Sequence, residues 1–89
     1  MATHEHTQQV ARRLARIEGH VAAVKRMVEQ QRPCVEVLLQ IAAVRAALNS
    51  AASLLLADHM EHCLAHPLAP SELERELEAL KLAMQKFIS

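Results

Sequence analysis

Helix-breaking residues are almost absent from this chain, and their scarcity constrains the fold more than any other feature of the sequence. The 89 residues contain one glycine and three prolines, namely Gly19, Pro33, Pro67 and Pro70. Strand-and-turn folds need recurrent glycine and asparagine in turns and β-branched residues in strands. The apolar residues here are mostly alanine, leucine, valine and methionine, a composition typical of helices. We therefore predict an all-α fold.

The first helix is predicted over residues 6–30 by its hydrophobic spacing. Its apolar residues recur in steps of four and three, which is typical of a helix that packs along a seam. They are Val10, Leu14, Ile17, Val21, Val24 and Val28.

Two further helices follow. Pro33 suits the first turn of a helix, so we place the second over residues 33–65. Its middle is apolar nearly all round, as expected of a core helix that others surround. Ser71 followed by Glu74 predicts a capping box that opens a third helix at 72–88.

Length and composition indicate one small cytoplasmic domain over residues 1–89. A chain this short buries little surface alone, so we expect self-association. The N-terminus is polar, and no 18-residue stretch is uniformly apolar, so we expect neither a signal peptide nor a membrane partner. Two cysteines in the cytoplasm are more often metal-binding or redox-active than joined in a structural disulfide.

Cys34, His59 and Cys63 are the candidate metal ligands. His59 and Cys63 are four residues apart on the second helix, so both side chains can reach one ion. Cys34 lies on the same stripe, but 25 residues of helix before His59 span about 37 Å. One straight helix cannot bring all three to one ion. We predict that two copies of this helix pack antiparallel, so that Cys34 of one chain meets His59 and Cys63 of the other.

Two thiolates and an imidazole form a soft three-ligand site. Such a site suits trigonal Cu(I), or Ni(II), Co(II) or Zn(II) with a fourth ligand. His4 and His6, in an N-terminal stretch that could fold over the site, are candidates for that ligand; the alternative is a disordered polar tail. We expect His62 and His66, on other faces of the helix, to be solvated or to support the ligands.

Basic residues concentrate in the first part of the chain. Residues 1–50 carry seven Lys/Arg against four Asp/Glu, whereas residues 51–89 carry three against six. The candidate DNA contacts are Arg12, Arg13, Arg16, Lys25, Arg26 and Arg45. Such a run is usually only a solvated face, but repeated copies on a symmetric oligomer could follow DNA phosphates.

Nearly the whole chain resembles the CsoR/RcnR family of metal-sensing transcriptional repressors. The resemblance is carried by the run RLARIEGHVAAVKRMVEQQRPCVEVLLQIAAVRAAL, by ADHMEHC, and by a cysteine followed 25 residues later by a histidine and four further on by a cysteine. It implies a three-helix protomer with a long central helix, an antiparallel homodimer and a homotetramer. It also implies that the metal-free protein binds double-stranded operator DNA, and that metal binding derepresses an efflux or detoxification gene.

The resemblance implies roles for individual residues. Cys34, His59 and Cys63 match the family's metal ligands, and Arg13 and Arg16 match basic positions tied to operator binding. Copper sensors of the family commonly have a tyrosine before the first cysteine and a helix-three glutamate that supports the histidine. By alignment, Pro33 and Ala79 stand at these places.

The choice of metal stays between Cu(I) and Ni(II)/Co(II), with copper ahead because the Cys-His-Cys triad is intact. Nickel and cobalt sensors of the family recruit an N-terminal histidine or the terminal amine, and His4 lies near that position. Formaldehyde sensors lack the second cysteine and persulfide sensors lack the histidine, so both fit this sequence poorly.

Two other function classes remain open at this point. A thiol-based redox or persulfide-responsive regulator would use Cys34 and Cys63 and would not need His59. A helical interaction or metal-storage protein would have no DNA partner. We do not expect an enzyme, because no acid/base pair or activated nucleophile can be named.

Overall fold

The computed structural model describes residues 6–88 and contains three helices. They are α1 (Thr7–Glu29), α2 (Cys34–Ala65) and α3 (Pro70–Ile88). No strand occurs between residues 6 and 88. The all-α prediction is confirmed, and the bounds of the first two helices agree with the predicted ones to within one residue.

The end of α1 is a Schellman motif built without glycine. Gln31 has a φ of 57°, in the left-handed region. Its N–H donates to the Val28 carbonyl at 3.0 Å, and the Arg32 N–H donates to the Met27 carbonyl at 3.0 Å. These two bonds use carbonyls that the end of a helix leaves without partners. The reversal that follows allows α2 to return along α1.

Prolines set the starts of α2 and α3. Pro33, with ψ at 137°, lies immediately before α2, so that Cys34 is the first helical residue. Pro70 is the first residue of α3, where its fixed φ suits a helix and its missing N–H costs nothing. The predicted capping box at Ser71 is therefore wrong. The helix has already begun, and Ser71 is its second residue.

α1 and α2 form the main packed pair of the protomer. The buried apolar residues are Val10, Ile17 and Val24 from α1 and Ala51 from α2. The α1 residues are seven apart, so they form one of the two rows of the predicted seam. The other row is exposed, with Leu14, Val21 and Val28 at 45%, 50% and 57%. Within one protomer, therefore, only one of the two apolar rows of α1 is buried.

The protomer is elongated rather than globular. Its principal extents are 55 × 27 × 14 Å and its radius of gyration is 17.2 Å, whereas a compact domain of this length would have about 12 Å. The predicted burial of the middle of α2 does not occur within one chain. Large apolar side chains are exposed along α2 and α3, including Leu38, Leu39, Ile41, Leu48, Leu55, Leu77, Leu82 and Phe87. A surface of this kind favours association with further copies.

The length and composition of α2 would also suit a membrane span. Within Cys34–Cys63 an 18-residue window reaches a mean hydropathy of 1.4, although no stretch of that length is uniformly apolar. A central helix of a soluble assembly has the same character, so hydropathy alone does not distinguish the two cases.

Candidate metal centre

His59 and Cys63 form one half of the predicted site, near the C-terminal end of α2. The Cys63 sulfur lies 3.7 Å from His59 Nε2. Both side chains are half-buried. The thiol and the imidazole ring are therefore neighbours on one face of α2.

Glu76 of α3 supports this pair. Its carboxylate lies 2.8 Å from His59 Nε2. An ionised carboxylate only accepts hydrogen bonds, so Nε2 carries the proton and donates it. That tautomer leaves a lone pair on Nδ1. Metal-binding histidines commonly have their second ring nitrogen held by a carboxylate in this way.

The alignment put Ala79 at the place of the family's supporting glutamate, whereas in the structure Glu76, one turn earlier on α3, lies beside His59. The chain reverses between His66 and Ala69. His59 lies seven residues before this reversal and Glu76 seven residues after it, so the two lie opposite each other. Equal distance from the Pro-containing turn was the sequence signal that could have identified Glu76.

Cys34 lies at the opposite end of α2. It is the first residue of the helix and is exposed. The helix is continuous from Cys34 to Ala65, so the rise of about 1.5 Å per residue puts Cys34 about 37 Å from His59. The structure therefore brings together two of the three predicted ligands and separates the third.

The site also includes an apolar cavity between α2 and α3 of about 320 Å³. Its lining comprises His59, Met60, Cys63, Pro67, Leu73, Glu76, Leu77 and Leu80. Apolar surroundings limit the access of water to a bound ion and lower the local dielectric.

The other histidines differ in their positions. His4 lies outside the described residues. His6 is half-buried immediately before α1, and its backbone N–H donates to Asp58 Oδ1 at 3.4 Å. The rings of His62 and His66 lie 4.7 Å apart at the end of α2, tilted by 49°.

The predicted DNA contacts are all exposed, and the five on α1 are distributed around its surface. At about 100° per residue, Arg12, Arg13 and Arg16 fall within an arc of about 100°, whereas Lys25 lies on the opposite side from Arg16. Arg26 is about 15 Å further along the axis than Arg16, and Arg45 is on α2. The structure therefore groups the first three and separates the others.

Arg13 and Arg16 also line a cleft between α1 and α2. The cleft has a volume of about 460 Å³, and its other lining residues are Ile17, His20, Ala47 and Ser50. Arg13 donates to Ser50 Oγ at 3.1 Å. His20 Nε2 lies 2.7 Å from Gln40 Oε1, a second polar link from α1 to α2. The Arg13 guanidinium is thus tied to the position of α2.

Comparisons with known proteins show the family of this chain. The family described as "Metal-sensitive transcriptional repressor" matches residues 6–86. The copper-sensing transcriptional repressor CsoR of Bacillus subtilis (strain 168) is 42% identical over 79 residues, which cover 89% of this chain and 78% of that protein.

Two solved structures share the fold. The copper-sensing repressor CsoR with Cu(I) from Geobacillus thermodenitrificans NG80-2 superposes with a TM-score of 0.84 at 36% identity, over 100% of this chain and 93% of that chain. The nickel-responsive transcriptional regulator InrS superposes with a TM-score of 0.73 at 47% identity, over 98% of both chains. The proteins that share this fold with the chain thus include both a copper-sensing repressor and a nickel-responsive regulator.

Proposed function

The chain belongs to the family of metal-sensitive transcriptional repressors, and from this premise we propose that it binds operator DNA without metal and releases it when Cu(I), or else Ni(II) or Co(II), is bound. Release would derepress a metal efflux or detoxification gene in the cytoplasm. Repression needs no enzymatic activity, and we assign none. The observation that carries the proposal is the Glu76–His59–Cys63 cluster at one end of α2, with Cys34 at the other.

The complete site takes ligands from two chains. Two α2 helices packed antiparallel would place Cys34 of each chain beside His59 and Cys63 of the other, which gives two equivalent sites per dimer. The exposed apolar side chains of α2 and the unused row of α1 supply surfaces for this dimer and for its pairing into a tetramer. Burial of that surface would stabilise the assembly.

Cu(I) is the ion that the donor set favours. Two thiolates and one imidazole are soft ligands that suit a trigonal Cu(I) ion. Glu76 strengthens this assignment, because the supporting carboxylate that the alignment omitted is present. Ni(II) or Co(II) would require further nitrogen or oxygen ligands, for which His4 is the candidate.

DNA is held, on this proposal, by the basic surface of α1. Arg12, Arg13 and Arg16 are exposed and share an arc of the helix, and Arg13 bonds to α2 through Ser50. We also assign weaker phosphate contacts to Lys25, Arg26 and Arg45. Four copies of the surface in a tetramer would offer a long basic path to a duplex.

The link between the two activities is the position of α2. When bound, a metal supplies a bond between Cys34 of one chain and His59 and Cys63 of the other. This chain's residues then transmit the change: Glu76 orients the His59 ring, and Arg13 follows α2 through its bond to Ser50. Altered helix pairing therefore alters the spacing of the arginines along DNA.

The test is reciprocal coupling between metal and DNA. A duplex selected by the metal-free protein from a random-sequence pool serves as the probe, and fluorescence anisotropy measures its affinity with and without Cu(I) or Ni(II). Coupling energies of this kind are typically about 1 to 3 kcal/mol, so the physiological metal should weaken DNA binding about 5- to 150-fold, and DNA should weaken metal binding by the same factor. Equal DNA affinity at saturating metal would contradict the proposal.

His59→Ala separates metal sensing from a thiol response. This variant keeps both cysteines, so we expect it to bind Cu(I) and, without metal, DNA, but to lose most of the metal-induced release. Full release by the variant would favour the redox or persulfide alternative, which uses only Cys34 and Cys63.

A further inference from the structure

A second group of potential ligands lies close to the first but on another face of α2. The ligand atoms of His6, Asp58 and Glu61 all lie within 4.8 Å of one another. At about 100° per residue, Glu61 points about 160° away from His59 around the helix, whereas Cys63 points about 40° away from it. The two groups therefore face different directions, and one ion cannot serve both.

Asp58 is the fixed member of this group. Its side chain is 2% exposed, which is unusual for a carboxylate. Its Oδ1 accepts the backbone N–H of His6 at 3.4 Å, and this bond holds the carboxylate against the residue that offers the imidazole. Burial and the hydrogen bond together fix one oxygen ligand in advance, which reduces the entropy lost when an ion binds.

The other two members have room to adjust. His6 is half-buried and Glu61 is exposed. Ligand atoms on one ion with bonds of about 2.0–2.2 Å are about 3 to 3.5 Å apart. The present separations of up to 4.8 Å would need to shorten by about 1 to 2 Å, and the incomplete burial of His6 and Glu61 leaves their side chains space to rotate.

We propose that His6, Asp58 and Glu61 form a second metal site, which takes a divalent first-row ion such as Zn(II) or Co(II). One imidazole and two carboxylates are nitrogen and oxygen donors, which suit these ions and do not suit Cu(I). The site does not depend on the function proposed for the thiolate site, and all three ligands come from one chain.

An ion at this second site would join the start of α1 to the end of α2. His6 immediately precedes α1, and Asp58 and Glu61 lie in the last two turns of α2. An ion held by all three would fasten the start of the helix that carries Arg12, Arg13 and Arg16 to the end of the helix that carries His59 and Cys63. Because all three ligands come from one chain, this link between α1 and α2 would form without a partner chain.

Co(II) titration tests the site directly. The protein is the full chain with Cys34→Ser and Cys63→Ser, and the readout is the visible d–d absorption of Co(II) under anaerobic conditions. We expect one Co(II) per chain, without the near-ultraviolet band of a cobalt–thiolate bond. Should the serine variant fail to fold, the intact chain with both thiols alkylated by iodoacetamide replaces it.

Matched variants in the same background locate the ion. His6→Gln and Glu61→Gln should each weaken Co(II) binding at least about tenfold, since even a partner of a metal ligand is worth about 10- to 100-fold. His66→Gln and Glu74→Gln, which alter an exposed histidine and an exposed glutamate elsewhere, should leave it unchanged. Absence of Co(II) binding, equal binding by the His6 and Glu61 variants, or a comparable loss in His66→Gln would each overturn the proposal and leave Asp58 a purely structural partner of His6.

Discussion

The two ends of α2 differ in how far a single chain prepares them for metal binding. At the C-terminal end, α3 folds back so that Glu76 contacts His59, and Cys63 lies beside the same ring. At the N-terminal end, Cys34 is exposed at the first turn. One end is a preassembled pair of ligands with its supporting carboxylate, and the other is a single thiol. In the antiparallel dimer that we propose, the two ends are complementary halves that meet between chains.

The largest expected effect is the loss of either thiol. Cys34→Ala and Cys63→Ala should each weaken Cu(I) binding by more than about 100-fold, because loss of even a supporting residue costs about 10- to 100-fold. Competition with a Cu(I) chelator measures both affinities. The two losses should be similar although the two ends differ in structure. Wild-type affinity in Cys34→Ala would mean that the C-terminal end binds metal alone.

Substitution of Glu76 should lower the metal affinity by a smaller factor than loss of a thiol, through its contact with His59. Glu76→Gln should weaken metal binding about 10- to 100-fold, because the amide can no longer act as a charged acceptor for the Nε2 proton of His59. Nitrogen NMR of the His59 ring should show a changed tautomer population.

Glu78→Gln is the matched control, an exposed glutamate two residues further along α3. Its metal affinity should equal that of the wild type. If both variants lose affinity equally, then Glu76 contributes only general negative charge and does not orient the His59 ring.

Loss of an arginine from the basic surface of α1 should change the salt dependence of DNA binding. Arg16→Ala should weaken DNA binding and lower the slope of log affinity against log salt by about 0.9, as expected for one lost phosphate contact. Metal affinity should not change, since Arg16 lies in the α1–α2 cleft and not at the end of α2. Arg75→Ala, on α3, is the control. An unchanged salt slope in Arg16→Ala would move the DNA surface elsewhere.

The smallest effect concerns the turn that leads into Cys34. Gln31 adopts a left-handed φ of 57°, which costs a residue with a Cβ about 1 to 2 kcal/mol. Gln31→Gly should remove part of that cost and stabilise the protein by up to about 1 kcal/mol. Urea denaturation at a fixed protein concentration measures the change. Gln30→Gly, at a φ of −84°, should give no gain.

Sequence patterns predicted the parts of this molecule that depend on local spacing. Hydrophobic periodicity and the prolines set α1 and α2 to within one residue, because both signals act within a few turns. The adjacency of His59 and Cys63 also followed from helical geometry alone. The start of α3 was wrong by two residues, because Pro70 at the first helical position outweighed the Ser71–Glu74 pattern.

Contacts between elements were less predictable. Glu76 was missed because alignment compared positions along the chain, whereas its role depends on the length of the turn between α2 and α3. The His6–Asp58 contact joins residues 52 apart, which no local pattern reports. The proposal that a second chain contributes Cys34 depends on an assembly that the periodicity of one chain only suggests.

Complementation between two inactive variants tests most directly whether the halves of the site come from different chains. Cys34→Ala and Cys63→Ala proteins are mixed, allowed to exchange subunits, and titrated with Cu(I). In a mixed antiparallel dimer, one crossing has lost both cysteines and the other keeps Cys34 from one chain and Cys63 from its partner. We predict one site of wild-type affinity per mixed dimer, although neither parent has any. If the exchanged mixture binds no more tightly than its parents, the two ends of α2 do not meet between chains, and the account of the metal centre is wrong.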